Sequence, residues 1–351
     1  MPFKDIPGNG RVKDLLRMAL AKNRLPNSLF FCGPEGVGKT ATARMLAQAL
    51  NCARMTDDAC GACDPCRAIG EALEDPAKAG KFPDVMAIAL GDKKQDISID
   101  QAKEIKQISY LKPMVGRSRV FIVEGAELMN EHAASSILKV LEEPPLTTHI
   151  VLVTSHPELL LATIVSRCRV LTFLPISIDE AERALLDKGL PADRARTLAL
   201  LTRGNLDEAL ALDWDEVMAR REQAWLAFRA LIADEDVAPL LRLWAFAPRG
   251  AVRDEIVRTM ELFAAFFRDV LYVKDGGGPD GLLNADAAGR VAEAGRYLTG
   301  PDAVRGLALA DGVLQGLDRN LNAVLLMTDF ISRYTERNHV RDHLSAVPAH
   351  G

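Results

Sequence analysis

The sequence predicts an α/β domain built on a parallel sheet, followed by helical structure through the rest of the chain. Three observations predict it. Up to Pro175, short apolar runs alternate with segments of helical periodicity. GPEGVGKT, at 33–40, sits between one such run and one such helix. After Pro175 the strand signals largely vanish. Strands separated by helices imply parallel pairing with helices on both faces.

The elements follow in order. From 11 to 23, Val12, Leu15, Leu16, Ala19 and Leu20 recur at helical spacing; LPNS then breaks the pattern and SLFFC reads as a strand. TATARMLAQAL has the composition and period of a helix packed on a sheet. A cysteine-rich stretch comes next, then a short strand candidate around DVMAIAL. Ser98 with Gln101 three residues on is a capping box, so a helix starts there and leads to strand RVFIV at 119–123. Asn130 caps the helix EHAASSILKVLEE, which Pro144 and Pro145 end. HIVLV at 149–153 and RVLTF at 169–173 flank the loop TSHPELLLATIVSRC.

Residues 176–212 are expected to form a small helical unit, and 213–351 an all-helical domain with amphipathic runs such as WLAFRALIA and MELFAAFFRDVLYV. KDGGGPDG, at 274–281, reads as a loop between two of these helices. The stripe of Phe263, Phe266 and Phe267 reads as helix-packing core. There is no internal repeat and no low-complexity tail.

A hydrophobic content of 48% over 351 residues is ample for two or three cores. No apolar stretch approaches eighteen residues, and MPFKDIPGNG has neither a basic nor an apolar leader region, so a cytoplasmic location without membrane contact is expected. A net charge of -5 argues against a chain that grips nucleic acid alone through a dense basic surface. Any DNA contact is expected to be shared with partners.

GPEGVGKT supplies Gly33, Gly36, Gly38, Lys39 and Thr40. Glycines let backbone N–H groups close around phosphate oxygens, the lysine reaches the β and γ phosphates, and the hydroxyl ligates magnesium. Hydrolysis also needs an acid at the end of a second strand and another to orient water. VFIVEGAEL offers Glu124 for the magnesium, but the next position is Gly125, which orients nothing. Glu127 reaches back only if the loop bends unusually, and reads as a solvated residue near a helix start.

Cys52, Cys60, Cys63 and Cys66 have the spacing C-x7-C-x2-C-x2-C. In a reducing compartment this reads as a closed, structural tetrahedral zinc site. An iron–sulfur cluster and four free thiols are the alternatives. For Cys32 and Cys168 burial is the expectation.

LPNSLFFCGPEGVGKTATARMLAQALNC, the cysteine module, ILKVLEEPP at 137–145 and TSHPELLLATIVSRC at 154–168 together resemble the clamp-loader subunits of bacterial DNA polymerase III, of the AAA+ class, and among them most of all delta-prime. The resemblance spans nearly all of 1–175; beyond that it rests on length and helicity. It implies an AAA+ P-loop domain at 1–175 with its zinc module at 52–66, a helical lid at 176–212, and a collar at 213–351 through which subunits oligomerise. It implies gamma/tau-like and delta-like partners, and a sliding clamp and primed DNA reached through the complex.

The resemblance also assigns roles. Arg167, in SRC, stands where family members carry an arginine finger that reaches ATP in the neighbouring subunit; the alternative is that it ends a helix or pairs with a local acid. Thr154, with Ser155, stands at the sensor-1 position, or is simply a polar strand end. The sensor-2 segment, Gly204 to Leu210, carries Asp207 where active subunits have a basic residue, and Arg203 has the wrong spacing. A stator that binds ATP and magnesium with little or no hydrolysis is therefore expected. The alternative is a gamma/tau-like motor, although a chain ending at 351 is unlike the long tau form. A small-molecule kinase leaves SRC and LEEPP unexplained.

Overall fold

The computed structural model describes residues 2–89, 97–233, 251–319 and 321–345. It divides into two compact units. One takes the chain up to Leu190 and the segment Thr202–Leu210; the other takes Pro191–Leu201 and the chain from Ala211 onward. The segment 176–212 falls across this division, and parts of 213–351 lie outside the described residues.

The first unit holds a five-stranded sheet of β1 (Ser28–Cys32), β2 (Val85–Ile88), β3 (Arg119–Glu124), β4 (Thr148–Thr154) and β5 (Arg169–Thr172). The order is β2-β3-β4-β1-β5 and every pairing is parallel. SLFFC and THIVLVT are buried throughout because helices cover both faces, which is why they lack polar alternation. β5 lies at the sheet edge and exposes Arg169, Val170 and Thr172. Phe30, Phe121, Val123, Ile150 and Leu152 pack against helical residues such as Ile137. This is the expected class, an α/β domain on a parallel sheet followed by helices.

Around the sheet lie α1 (Gly10–Ala21), α2 (Lys39–Asn51), α3 (Asp64–Glu74), α4 (Ile99–Ser109), α5 (Glu131–Glu142), α6 (Ala162–Val165) and α7 (Ile178–Asp187). The Ser98–Gln101 capping box forms with both bonds in place, and the Asn130 side chain accepts the Ala133 N–H at 2.9 Å. Each such cap stabilises its helix by about 1 kcal/mol.

Register brings the functional ends together. Cys32 pairs with Thr154 and Glu124 with Val153, so the carboxyl ends of β1, β3 and β4 open at one edge. At the opposite end, Asp84 is fully buried before β2. Its carboxylate accepts the N–H groups of Met114, Val115 and Gly116 at 2.7–2.9 Å and Nη2 of Arg119 at 2.7 Å. Burial pushes the Asp84 carboxyl up, but these donors outweigh it and hold the group below the usual carboxylate range.

The second unit is helical. Its core brings Trp225 and Phe228 of the helix Trp214–Ile232 against Phe263, Phe266 and Phe267 of Ala251–Lys274, and against Phe330 and Tyr334 of Ala323–Ser345. Phe228 and Phe267 stand edge-on with centroids 4.8 Å apart. The phenylalanine stripe is thus core, as the sequence suggests. The loop after Lys274 is pinned from within: buried Asp269 accepts the N–H groups of Leu283 and Asn284 at 2.9 and 2.8 Å. No helix among the described residues is long and apolar enough to cross a membrane.

Candidate functional site

Between β1 and α2 the chain makes the phosphate loop. Gly33, Gly36 and Gly38 all have positive φ (146°, 66° and 87°). A Cβ on Gly33 would lie 2.3 Å from the Phe173 carbonyl oxygen, and one on Gly36 1.8 Å from Asn205 Oδ1. Only glycine fits such approaches. α2 begins at Lys39 behind Gly38, so its unpaired N–H groups and dipole face the loop's concavity, an arrangement suited to phosphate.

The loop opens on a cleft of about 1820 Å³ within the first unit. Thr40, Glu124, Glu127, Thr154, Ser155 and Asp207 are among its lining residues. Lys39 is only 7% exposed; its Nζ donates to the carbonyls of Gly33, at 2.7 Å, and Pro34, and to Ser155 Oγ at 3.1 Å. Burial holds this ammonium below the usual lysine range, against the opposing pull of Glu35, Glu127 and Asp207. Thr154 turns its hydroxyl to the His156 N–H at 2.9 Å, so at the end of β4 it is Ser155 whose side chain meets Lys39.

Glu124 ends β3, half-buried, with Oε1 3.0 Å from Arg44 Nη2 on α2. Gly125 then takes φ 68° and opens a 3-10 turn, Ala126–Leu128. That turn carries Glu127 to the cleft, with Oε2 shielded from solvent and without a hydrogen-bond partner. The sequence reading of Glu127 as a solvated helix-start residue missed this. The available signal was the glycine itself, the residue most at ease in a left-handed turn.

The segment 204–210 packs against the phosphate loop. Asn205 packs over Gly36, its Oδ1 also accepting the Glu208 N–H at 3.1 Å, and Asp207 adds negative charge near Lys39. Arg167 is not among the residues lining this cleft. Its side chain is 31% exposed, with Nη2 donating to Glu142 Oε1 at 2.5 Å and Nη1 to the Thr163 carbonyl at 2.8 Å. The acid comes from LEEPP and the arginine from SRC, two segments that sequence reading treated separately.

Cys52 caps α2, Cys63 precedes α3, Cys66 lies in its first turn, and Cys60 sits in the loop between. Their sulfurs all lie within 4.8 Å of one another. Tetrahedral zinc with Zn–S near 2.3 Å sets sulfurs about 3.8 Å apart, so the group fits. The Met55 and Cys60 N–H groups point at Cys52 Sγ, and that of Cys63 at Cys60 Sγ, as thiolate ligands require. With four sulfurs the site is closed, and the metal's contribution would be to hold the 52–66 excursion together. Purified with zinc, the chain is expected to carry one ion; Cys63→Ser should drop this below about half an ion by elemental analysis, and full retention would overturn the ligand set. Cys32 is buried, and burial pushes the Cys168 thiol up to about 12.

Residues 8–177 match the family described as DNA polymerase III, delta subunit. The match takes in a little under half of the chain. Its relatives include subunit tau of Salmonella typhimurium, 31% identical over 217 residues, which are 60% of this chain and 32% of that protein. Subunit delta' of Bacillus subtilis is 32% identical over 212 residues, 60% of each. The chain thus spans about a third of the tau relative's length. A gamma subunit-related protein of Thermotoga maritima aligns with 93% of this chain and 99% of its own at 18% identity, with a TM-score of 0.40.

Proposed function

We propose that the chain is a delta-prime-like stator of the DNA polymerase III clamp loader, hydrolysing little or no ATP and supplying Arg167 to ATP bound by a neighbouring subunit. The observation that carries it is the acid set around Lys39. Asp207 comes from the segment where active subunits of the resembled family hold a basic residue, and like charge there opposes a triphosphate. Gly125 contributes no carboxylate at the position that ordinarily orients water.

In this reading Gly33, Gly36, Gly38, Lys39 and Thr40 cradle nucleotide, with Glu124 and Thr154 beside it. The partners are gamma/tau-like and delta-like subunits, with sliding clamp and primed DNA met through the assembly. Residues 176–212 act as a lid, and 213–351 as the collar. The half-exposed Arg167 fits a finger used in trans, since it lies away from this chain's own cleft.

A second reading, an ATP-hydrolysing gamma/tau-like motor, is favoured by one observation: Glu127 brings a carboxylate into the cleft three residues after Glu124. Turnover separates the two. The isolated chain is expected to hydrolyse ATP at background rates, with Lys39→Ala and Glu127→Gln making no difference. Robust hydrolysis abolished by either substitution would establish the motor instead.

A further inference from the structure

We infer that Asp58 couples the cysteine module to the phosphate loop: it holds the N-terminal segment 3–9 against that loop, so the metal state of the module governs the order of one wall of the cleft. Asp58 lies in the loop between Cys52 and Cys60 and is only 4% exposed. Its Oδ1 accepts the Phe3 N–H at 3.0 Å, a buried bond between residues 55 apart in sequence, and the Ala59 N–H at 2.7 Å. Phe3 is fully buried. Beside it, Asp57 Oδ2 accepts Arg17 Nη2 at 2.8 Å, tying α1 to the same loop.

From Phe3 the connection runs to the phosphate loop. Ile6 is buried and sits so close that a Cβ on Gly38 would lie 3.0 Å from its Cγ2. The Ile6 carbonyl accepts Lys13 Nζ at 2.5 Å, and Asn9 Nδ2 donates to the Val37 carbonyl at 3.2 Å. Lys4, Asp5, Pro7 and Gly8 line the cleft together with Lys39. A second link comes through α3: Gln48 on α2 donates to the Cys66 carbonyl at 3.0 Å, and α3 contributes Arg67 and Glu71 to the cleft.

The physical argument concerns where the loop gets its shape. Residues 52–66 have few apolar residues to fix them, so the four sulfurs and their metal define the loop that presents Asp58. A buried carboxylate is a strong acceptor only while its geometry is held. With the loop released, Phe3 loses its hydrogen-bonded anchor, and the segment through Asn9 is left with its bonds further along, to Lys13, Val37 and Leu174. That the segment walls a nucleotide site rests on the proposed reading of the cleft; the coupling of module to segment does not.

The test is hydrogen exchange on the full chain, zinc-loaded, chelator-treated and as zinc-loaded Asp58→Ala. Asp58→Ala should keep its full zinc content by elemental analysis while protection across 3–9 falls about tenfold. Chelation should lower protection in 3–9 as well as in 52–66, with the core around Phe263 as the unchanged control. Asp58→Asn, which keeps an acceptor oxygen, should stay near wild type. Loss confined to 52–66 on chelation, or wild-type protection of 3–9 in Asp58→Ala, overturns the inference. If Asp58→Ala does not fold, the chelation arm decides. Failure of every form, wild type included, to bind a fluorescent ATP analogue, with exchange shifted as expected, would count against the nucleotide reading and leave the coupling standing.

Discussion

Replacing Arg167 with alanine is expected to slow ATP hydrolysis at the receiving site of a reconstituted clamp loader about 10³-fold, with subunit stoichiometry unchanged. The magnitude is the lower end of what a guanidinium supplies when it meets transition-state phosphate charge, roughly 10³ to 10⁵. Because several ATP sites share the work, single-turnover kinetics is the measurement that exposes it: one fast phase should disappear. Arg167→Lys should not restore it, since an ammonium lacks the planar fork. The guanidinium first has to leave Glu142 and the Thr163 carbonyl. An exposed pair of this kind contributes under about 1 kcal/mol, so leaving it adds little to the barrier, and the variant's own folding stability should hardly move. Unchanged single-turnover kinetics in Arg167→Ala would remove the finger from the proposal.

The second large effect is on stability. Asp84→Ala is expected to destabilise the chain by about 3–5 kcal/mol, because it strands the buried Arg119 guanidinium and three backbone N–H groups. Replacing both, as Asp84→Leu with Arg119→Met, should lose less than Asp84→Ala alone. The acid limb follows from the direction of the Asp84 shift. Its folded value lies below the unfolded one of about 3.9, so its stabilisation is fully present above that unfolded value and disappears as pH falls through the folded one. Urea midpoints from pH 7 down to 3 check this: Asp84→Asn should be less stable at neutral pH, with a flatter decline. A variant as stable as wild type at pH 7 would contradict the account.

What the sequence made legible is what adjacent residues decide. Strands covered on both faces announce themselves as apolar runs, and the Ser98 and Asn130 caps act within three residues. The phosphate loop and the four cysteines are equally local. Asp84 was invisible because its partners lie 30–35 residues away and DVMAIAL looks the same with or without them. The same holds for Asp58 with Phe3 and for Arg167 with Glu142. Glu127 was misread for a different reason: an isolated glycine permits many backbone conformations, and only the fold selects the one that turns the next acid inward.

That turn links what residue 125 can carry to where Glu127 points. A glutamate at 125 would have to hold a left-handed backbone at a penalty of about 1–2 kcal/mol, with its Cβ 3.0 Å from Leu128 Cδ1. Relaxing the backbone to accommodate it would unwind Ala126–Leu128 and withdraw Glu127 from the cleft. An acid at 125 therefore strains the same turn that delivers Glu127. A substitution at 125 is thus felt at 127, and the two positions do not vary independently.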